Sequence, residues 1–168
     1  DTERNSVPDG HDTTRLVLVR HGETDWNRDS RIQGWAPSSL TDRGREQARA
    51  LGTHLSDTYD FDRLLASDLR RTRETTALLR DEGIQPEPTF DRTWRERDFG
   101  VYQGLTKTEV FDEYPQFSAE TGVSAVRETP ENGESLLDAR ERVLAGWEQL
   151  VTDTDGETAL VVTHGGPL

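Results

Sequence analysis

Two arginines and two histidines stand where they could bind and transfer a phosphoryl group. Arg20 and His21 directly follow one apolar run, Arg71 comes shortly after a second run, and His164 follows a third. Each guanidinium offers a planar fork of donors that fits two oxygens of a phosphate dianion. In a chain that is otherwise strongly acidic, these four residues would form a local positive site for a phosphate group.

A histidine in this setting can act as a nucleophile rather than as a base. It must be neutral to attack phosphorus, and we expect Arg20 and Arg71 to disfavour the imidazolium and so to lower its pKa. The same arginines would stabilise charge on the equatorial oxygens of the transferring group. The leaving alkoxide then needs a proton, which a buried carboxylic acid can supply. Glu96 is the candidate for this acid.

Short apolar runs predict the strands that must position these side chains. Three such runs occur at 14–19, 63–66 and 158–163, and a short edge strand is expected at 85–90, which contains two prolines. Strands that alternate with helices predict an α/β fold, here a three-layer α/β/α sandwich with a mostly parallel central sheet. In such sheets ligands bind beyond the carboxyl ends of the strands, where the arginines and histidines lie.

Helical spacing of apolar residues predicts the layers that cover the sheet. One helix is expected from an N-cap at Thr41 to about residue 55, and a second over 68–79. The longest helix is expected from an N-cap at Ser135 to about residue 151. The region from about 97 to 131 lacks a strong strand pattern and is predicted to be a lid-like insertion with one short helix at 107–114. The apolar stripe of the longest helix would consist of Leu136, Val143, Trp147 and Leu150.

Five short motifs follow one another along the chain. They are Leu-Val-Arg-His-Gly-Glu-Thr at 18–24, Ser-Asp-Leu-Arg-Arg-Thr at 67–72, Arg-Glu-Arg-Asp-Phe-Gly-Val-Tyr-Gln-Gly at 95–104, a stretch ending in Gly-Glu-Ser at 130–135, and Val-Thr-His-Gly-Gly at 162–166. Together and in this order they resemble the signature of the histidine phosphatase superfamily, which has the phosphoglycerate mutase-like fold. The resemblance covers most of the chain.

The resemblance implies a role for each residue of the central motifs. His21 would be the phosphorylated nucleophile and Glu96 the proton donor to the leaving group. Arg20, Arg71 and His164 would form the phosphate pocket. The family needs no metal, and no cofactor is expected.

Four further residues are implied at the edges of the same site. Asn27 resembles an auxiliary phosphate contact, and Glu134 would orient one of the pocket groups. Arg97 and Lys107 would contact the rest of the substrate. The partner is expected to be a small phosphorylated metabolite, which residues of the lid would select.

The predicted function is therefore a metal-independent phosphomonoester hydrolase that works through a phosphohistidine. The alternative is a cofactor-dependent phosphoglycerate mutase: the short interval from Glu96 to His164 favours the phosphatase, whereas Gly-Leu-Thr-Lys at 104–107 echoes the mutases. A metal-dependent hydrolase is less favoured, because no two-histidine helical zinc motif is present. A non-catalytic phosphate-binding module is also less favoured, because all of the expected chemical residues are present.

The composition limits the partners and the chemistry. The chain carries 33 acidic against 20 basic residues, a formal net charge of −13, which repels nucleic acids and anionic membranes. It has no cysteine, so disulfides and thiol chemistry are excluded. Lys107 is the only lysine. Surplus carboxylates with almost no lysine resemble the proteins of halophilic archaea that accumulate salt, and we expect a cytoplasmic protein.

Both ends of the chain depart from the regular pattern. Residues 1–13 are polar and are predicted to be a disordered tail, which leaves 14–168 as one histidine phosphatase domain. Members of the superfamily continue beyond the second His-Gly-Gly motif, so we expect the natural chain to extend past Leu168. As it stands, the chain is expected to be poorly stable or to self-associate.

Overall fold

A parallel sheet forms the centre of the protein. The computed structural model describes residues 13–114 and 127–168, and within them four strands pair in the order β1-β4-β2-β3. All of the pairings are parallel, which agrees with the predicted α/β fold. The strands are β1 (Arg15–Arg20), β2 (Arg63–Ala66), β3 (Pro88–Phe90) and β4 (Thr158–Thr163).

The register of the sheet brings the carboxyl ends of its strands to one edge. Arg20 at the end of β1 is opposite Thr163 at the end of β4, and Ala66 at the end of β2 is opposite Val162. The residues that follow these strands therefore emerge side by side. This is why three segments far apart in sequence can contribute to one site.

Five helices surround the sheet in the described part of the chain. Thr41, Thr106 and Ser135 are the N-caps of the second, fourth and fifth helices, and each side chain accepts a hydrogen bond from the first turn, as predicted for Thr41 and Ser135. Two 3₁₀ turns, at Arg92–Trp94 and Gly100–Tyr102, lie between β3 and the fourth helix. The helices are α1 (Asp25–Arg28), α2 (Asp42–Thr58), α3 (Arg70–Asp81), α4 (Lys107–Glu113) and α5 (Leu136–Asp153).

The core lies on both faces of the sheet. Leu160 and Val162 of β4 pack in one cluster with Leu55 of α2 and Leu79 of α3. The alternate β4 residues Ala159 and Val161 pack in a second cluster with Trp94 and Leu150, the latter from α5. Because successive side chains of a strand point to opposite faces, the two clusters define the three predicted layers.

Several predicted boundaries differ from the structure. The edge strand β3 is shorter than expected. The helix predicted over 68–79 is α3, which begins at Arg70, and the single turn α1 was not predicted. Leu136 was predicted to be in the core stripe of α5, but it is 44% exposed because the first turn of that helix borders an open groove. Except for Thr13, the predicted tail lies outside the described residues, as does the lid segment 115–126. None of the described helices is long and apolar enough to cross a membrane.

Candidate active site

A cavity of about 440 Å³ opens at the carboxyl edge of the sheet. Its wall is formed partly by the charged and polar residues that the motifs indicated and partly by apolar side chains. Trp26, Ile32 and Phe99 supply the apolar part. Of the residues predicted for the site, the cavity is lined by Arg20, His21, Asn27, Arg71, Glu96 and Lys107.

His21 is buried directly after β1, and its ring orientation is fixed. Nδ1 lies 2.7 Å from the carbonyl oxygen of Gly22. A carbonyl oxygen can only accept, so Nδ1 carries the proton and donates it to Gly22. Nε2 accepts from Nε–H of Arg71 at 3.3 Å, which shows that Nε2 has a lone pair. The imidazole is therefore neutral, with its basic nitrogen beside a guanidinium.

The surroundings of His21 keep the ring neutral. Burial, followed by the charge of Arg71 and more weakly that of Arg20, lowers the pKa of His21 from 6.5 to about 3, and the hydrogen bond to Gly22 opposes this only in part. From the sequence, the arginines alone were expected to lower this pKa. The larger cause is burial, because a charged ring would lose its hydration there.

Arg71 is completely buried at the start of α3 and is held by the loop after α1. Its Nη2 donates to the carbonyl of Gly34 at 2.6 Å and its Nη1 to that of Ala36 at 3.1 Å. Burial lowers the pKa of Arg71 to about 10, so it stays charged at neutral pH. These two bonds and the one to His21 use three of the five N–H groups of a guanidinium, which leaves two for a ligand.

His164 is completely buried after β4, with its ring centroid 5.2 Å from that of His21. Its Nε2 lies 2.7 Å from the hydroxyl oxygen of Ser67, whereas Nδ1 has no hydrogen-bond partner within residues 13–114 and 127–168. Burial, then the charge of Arg71, lowers the pKa of His164 well below its ordinary value. This ring is therefore also neutral, with one nitrogen left for a ligand.

Arg20 and Asn27 also line the cavity. Arg20 is exposed, and its guanidinium runs beside Gly165, where a Cβ would lie 3.7 Å from Cζ. The side-chain oxygen of Asn27 accepts from the backbone N–H of Thr24 at 3.1 Å in the capping box of α1. Because this bond occupies the oxygen, the NH₂ group of Asn27 is the part available as a donor.

Glu96 is held at the boundary between the cavity and the groove beside α5. One carboxyl oxygen accepts from the backbone N–H of Arg97 at 2.9 Å, and the other from that of Gly166 at 3.1 Å. A carboxyl group has about four acceptor positions, so these two bonds fix its orientation and leave room for a proton.

A model of one protein family, the histidine phosphatase superfamily (branch 1), matches residues 16–168, which include all of these side chains. The chain belongs to the histidine phosphatase superfamily. The match confirms the resemblance carried by the five motifs.

Known members of the superfamily that resemble this chain include phosphatases and a mutase. The metal-independent phosphoserine phosphatase of Arabidopsis thaliana is 35% identical over 158 residues, which cover 94% of this chain but only 66% of that protein. A 2,3-bisphosphoglycerate-dependent phosphoglycerate mutase of Methylobacterium radiotolerans is 36% identical over 158 residues, which cover 91% of this chain and 74% of that protein. The crystal structure of the alpha-ribazole phosphatase from Shigella flexneri is similar with a TM-score of 0.81 and 31% identity, over 91% of this chain and 75% of that one.

Three residues that the superfamily motifs indicated do not line the cavity: His164, which is completely buried beside His21, and Arg97 and Glu134. Arg97 was expected to contact the substrate, but its guanidinium donates to the backbone carbonyls of Glu134 and Glu128, each at 3.0 Å. The carboxylate of Glu134 was expected to orient a pocket group, but it instead accepts from Asp98 N–H and pairs with Arg142. Arg97 and Glu134 both brace the segment that carries Glu96.

Ser67 and Arg142 were not predicted as site residues. Ser67 contacts His164 across 97 positions of the chain, and Arg142 binds the backbone around Glu96 from α5. A signal for Ser67 was present, since it opens the second arginine motif at the carboxyl end of β2. Arg142 lies on a helix rich in charged residues, where nothing distinguishes it by sequence.

The described residues contain no group of three or more His, Asp or Glu side chains that could hold a metal ion.

Proposed function

We propose that this protein is a metal-independent phosphomonoester hydrolase that works through a phosphohistidine at His21. One observation carries the proposal: His21 is neutral, with Nδ1 bonded to Gly22 and Nε2 3.3 Å from the guanidinium of Arg71. A lone pair on Nε2 is what attack on phosphorus requires, and the guanidinium draws a phosphate to that atom. The phosphoserine phosphatase and the alpha-ribazole phosphatase support a small phosphorylated metabolite as the substrate.

In the first step the phosphoryl group passes from the substrate to histidine. Nε2 of His21 forms a bond to phosphorus while the bond from phosphorus to the ester oxygen breaks. The leaving oxygen takes the proton of the Glu96 carboxyl group. The charge on the three remaining oxygens is stabilised by donors of Arg20, Arg71 and His164, with the Asn27 amide at the edge of the pocket.

In the second step water releases the phosphoryl group. The carboxylate of Glu96 takes a proton from the water as the oxygen attacks phosphorus, and the bond from phosphorus to Nε2 of His21 breaks. Neutral His21 and protonated Glu96 are regenerated. One phosphomonoester and one water give one alcohol and one phosphate, with no oxidation or reduction.

A phosphoglycerate mutase is the second candidate, and the position of Lys107 favours it. This lysine lines the same cavity as His21, together with Arg31. Cations beyond the phosphate pocket suit a substrate with a second anionic group, such as the carboxylate of phosphoglycerate. In a mutase the phosphohistidine returns its phosphoryl group to the substrate rather than to water. The mutase of Methylobacterium radiotolerans supports this alternative.

The experiment compares hydrolysis with isomerisation in the presence of EDTA. Wild type, His21→Ala and His54→Ala are incubated with p-nitrophenyl phosphate or 3-phosphoglycerate in molar KCl, and acid-labile protein-bound phosphate is measured at the same time. His54 is an exposed histidine outside the cavity and serves as the matched control. We expect phosphate release and labelling in wild type and His54→Ala, and neither in His21→Ala.

The other outcomes separate the candidates. Isomerised phosphoglycerate with little free phosphate would replace the phosphatase by the mutase. Activity that EDTA removes, or that survives in His21→Ala, would overturn the phosphohistidine mechanism. A folded wild type without turnover on a panel of phosphomonoesters would favour a phosphate-binding module.

We also propose that the acidic surface adapts the protein to a cytoplasm of high salt content, as in halophilic archaea. The chain has 33 acidic residues and 20 basic ones, and Lys107 is the only lysine. At ~1 M salt the Debye length falls to about 3 Å, which weakens the repulsion between surface carboxylates. Folding stability is therefore expected to rise with salt.

A further inference from the structure

Arg142, in the middle of α5, donates hydrogen bonds to backbone carbonyls of the segment that ends at Glu96. Its side chain is 18% exposed. Nη1 donates to the carbonyls of Thr93 at 2.8 Å and Arg95 at 3.0 Å, with a longer contact of 3.3 Å to Arg92. Nη2 donates to the carbonyl of Glu96 itself at 3.2 Å. One guanidinium thus contacts four backbone carbonyls within five consecutive residues.

These contacts satisfy groups that otherwise have few partners. The carbonyl of Arg92 already accepts from the backbone N–H of Arg95 at 3.1 Å, so Arg142 contributes mainly to the carbonyls of Thr93 and Arg95. The carbonyl of Glu96 also accepts from the indole N–H of Trp35 at 2.8 Å. The main chain at Glu96 is therefore fixed by two donors from different parts of the fold, Trp35 before α2 and Arg142 on α5.

Glu134 holds the guanidinium of Arg142 in this place. Its carboxylate accepts from Nη2 at 2.5 Å, and the same oxygen accepts from the backbone N–H of Asp98 at 3.0 Å. Arg142 and Glu134 therefore fix the main chain at two points, because Arg142 binds the carbonyl of Glu96 and Glu134 binds the amide of Asp98. Arg142 does not line the cavity at His21, so its hydrogen bonds act on a substrate through this segment, while its charge is a minor cause of the lowered pKa of His164.

We propose that Arg142 is a positioning residue that holds the carboxyl group of Glu96 where it can protonate the leaving group. The inference rests on the proposed function, in which Glu96 is the proton donor. Loss of Arg142 removes the donors to the carbonyls of Thr93 and Arg95 and one of the two donors to that of Glu96, so that the carboxyl group is held less firmly at its distance from the ester oxygen. The phosphate pocket of Arg20, Arg71 and His164 makes no contact with Arg142 and stays in place.

The dependence of the rate on the leaving group tests this role. The parameter kcat/KM reports the steps up to departure of the leaving alcohol, and general acid catalysis contributes roughly 10²- to 10⁴-fold when that alcohol is a poor leaving group. An activated phenolate such as p-nitrophenolate leaves without a proton donor. We expect Arg142→Gln to lower kcat/KM for an alkyl phosphate such as phosphoserine by about 10- to 100-fold, and for p-nitrophenyl phosphate by less than about threefold.

A double-mutant cycle adds a second readout. Glu96→Gln should show the same selective loss on alkyl phosphates, and Arg142→Gln added to Glu96→Gln should lower it no further, because both act through one carboxyl group. Arg142→Lys keeps the charge but cannot span four carbonyls, so its loss should be intermediate. Arg63→Gln removes an arginine paired with Glu157 at 2.8 Å at the opposite edge of the sheet and should leave both substrates unchanged.

The ratio of the two kcat/KM values does not depend on how much enzyme is folded, so a destabilised variant still gives an answer. If Arg142→Gln does not fold, Arg142→Lys supplies the ratio. Equal losses on the two substrates, or losses that add to those of Glu96→Gln, would overturn the positioning role while phosphohistidine still forms. Absence of phosphohistidine in wild type would instead overturn the proposed function itself.

Discussion

The hydroxyl of Ser67 and the ring of His164 form a buried hydrogen bond of 2.7 Å between the ends of β2 and β4. The hydroxyl oxygen also accepts from the backbone N–H of Leu69 at 3.4 Å. The hydroxyl can donate its proton to Nε2 of His164 or accept a proton from it, since its oxygen has a second lone pair. In either case Nε2 is bonded to Ser67, and Nδ1 is the ring nitrogen without a hydrogen-bond partner among the described residues. Ser67 therefore fixes the orientation of the buried His164 ring.

Replacing Ser67 by alanine is expected to weaken substrate binding without removing the nucleophile. The buried Nε2 of His164 would lose its partner, which costs about 1–3 kcal/mol, and the orientation of the ring would no longer be fixed. We expect kcat/KM to fall roughly 10- to 100-fold. Steady-state kinetics with p-nitrophenyl phosphate and the inhibition constant of vanadate would measure both effects.

Thr76→Val is the matched control for the loss of a buried hydroxyl. Thr76 lies on α3, and its hydroxyl donates to the carbonyl of Thr72 at 2.7 Å, away from His164. The control should change stability but keep kcat/KM within about threefold. Equal kinetic losses in the two variants would show that Ser67 has only a structural effect.

The low pKa of His21 predicts a loss of folding stability in acid. Its pKa is about 3 in the folded protein, against 6.5 in an unfolded chain. Between these pH values the unfolded state binds the proton and the folded state does not, so stability present above pH 6.5 is lost as the pH falls towards 3. Between pH 7 and pH 5 the loss from this one group is about 2 kcal/mol.

Urea unfolding at pH 7 and pH 5 checks this prediction with wild type and His21→Asn. Asparagine does not titrate, so the variant should lose less stability than wild type over the same interval. The other ionisable groups are present in both proteins, so the difference between the two reports residue 21 and its interaction with His164. The same pH dependence in the two proteins would contradict the neutral, buried state of His21.

The sheet and the residues at its carboxyl edge could be predicted because their signals are local. A continuous apolar run followed directly by Arg20 and His21, or by His164, indicates both a buried strand and its end. The caps Thr41 and Ser135 were found for the same reason, because a cap and its first turn are neighbours in sequence.

The bracing around Glu96 could not be predicted, because it depends on contacts across the fold. Arg142 binds carbonyls about 46 to 50 positions away, and a carbonyl has no sequence signature. Arg97 stands next to the candidate acid in its motif, but partners at Glu128 and Glu134 draw its side chain away from the cavity. The turn α1 is too short to show a helical period.

Potassium chloride is expected to stabilise the protein. The net charge of −13 produces self-repulsion that salt screens, and the Debye length falls from about 10 Å at 0.1 M to about 3 Å at 1 M. The melting temperature should therefore rise with KCl, mostly below ~1 M. Differential scanning fluorimetry at 0.1, 0.5, 1 and 2 M KCl measures this. A melting temperature that stays level or falls would contradict adaptation to high salt.

Replacing Gly166 by alanine is expected to displace Glu96. A Cβ at residue 166 would overlap Oε1 of Glu96, whose other oxygen accepts from the Gly166 N–H at 3.1 Å. At the neighbouring Gly165 a Cβ would meet only Arg20, at an ordinary contact of 3.7 Å or more. Gly166→Ala should therefore lower kcat/KM for phosphoserine by about tenfold or more while p-nitrophenyl phosphate is affected less, and Gly165→Ala should show a smaller loss without this selectivity. If alanine at 166 reduces turnover of both substrates alike, or alanine at 165 is the more selective change, Glu96 does not protonate the leaving group from this position.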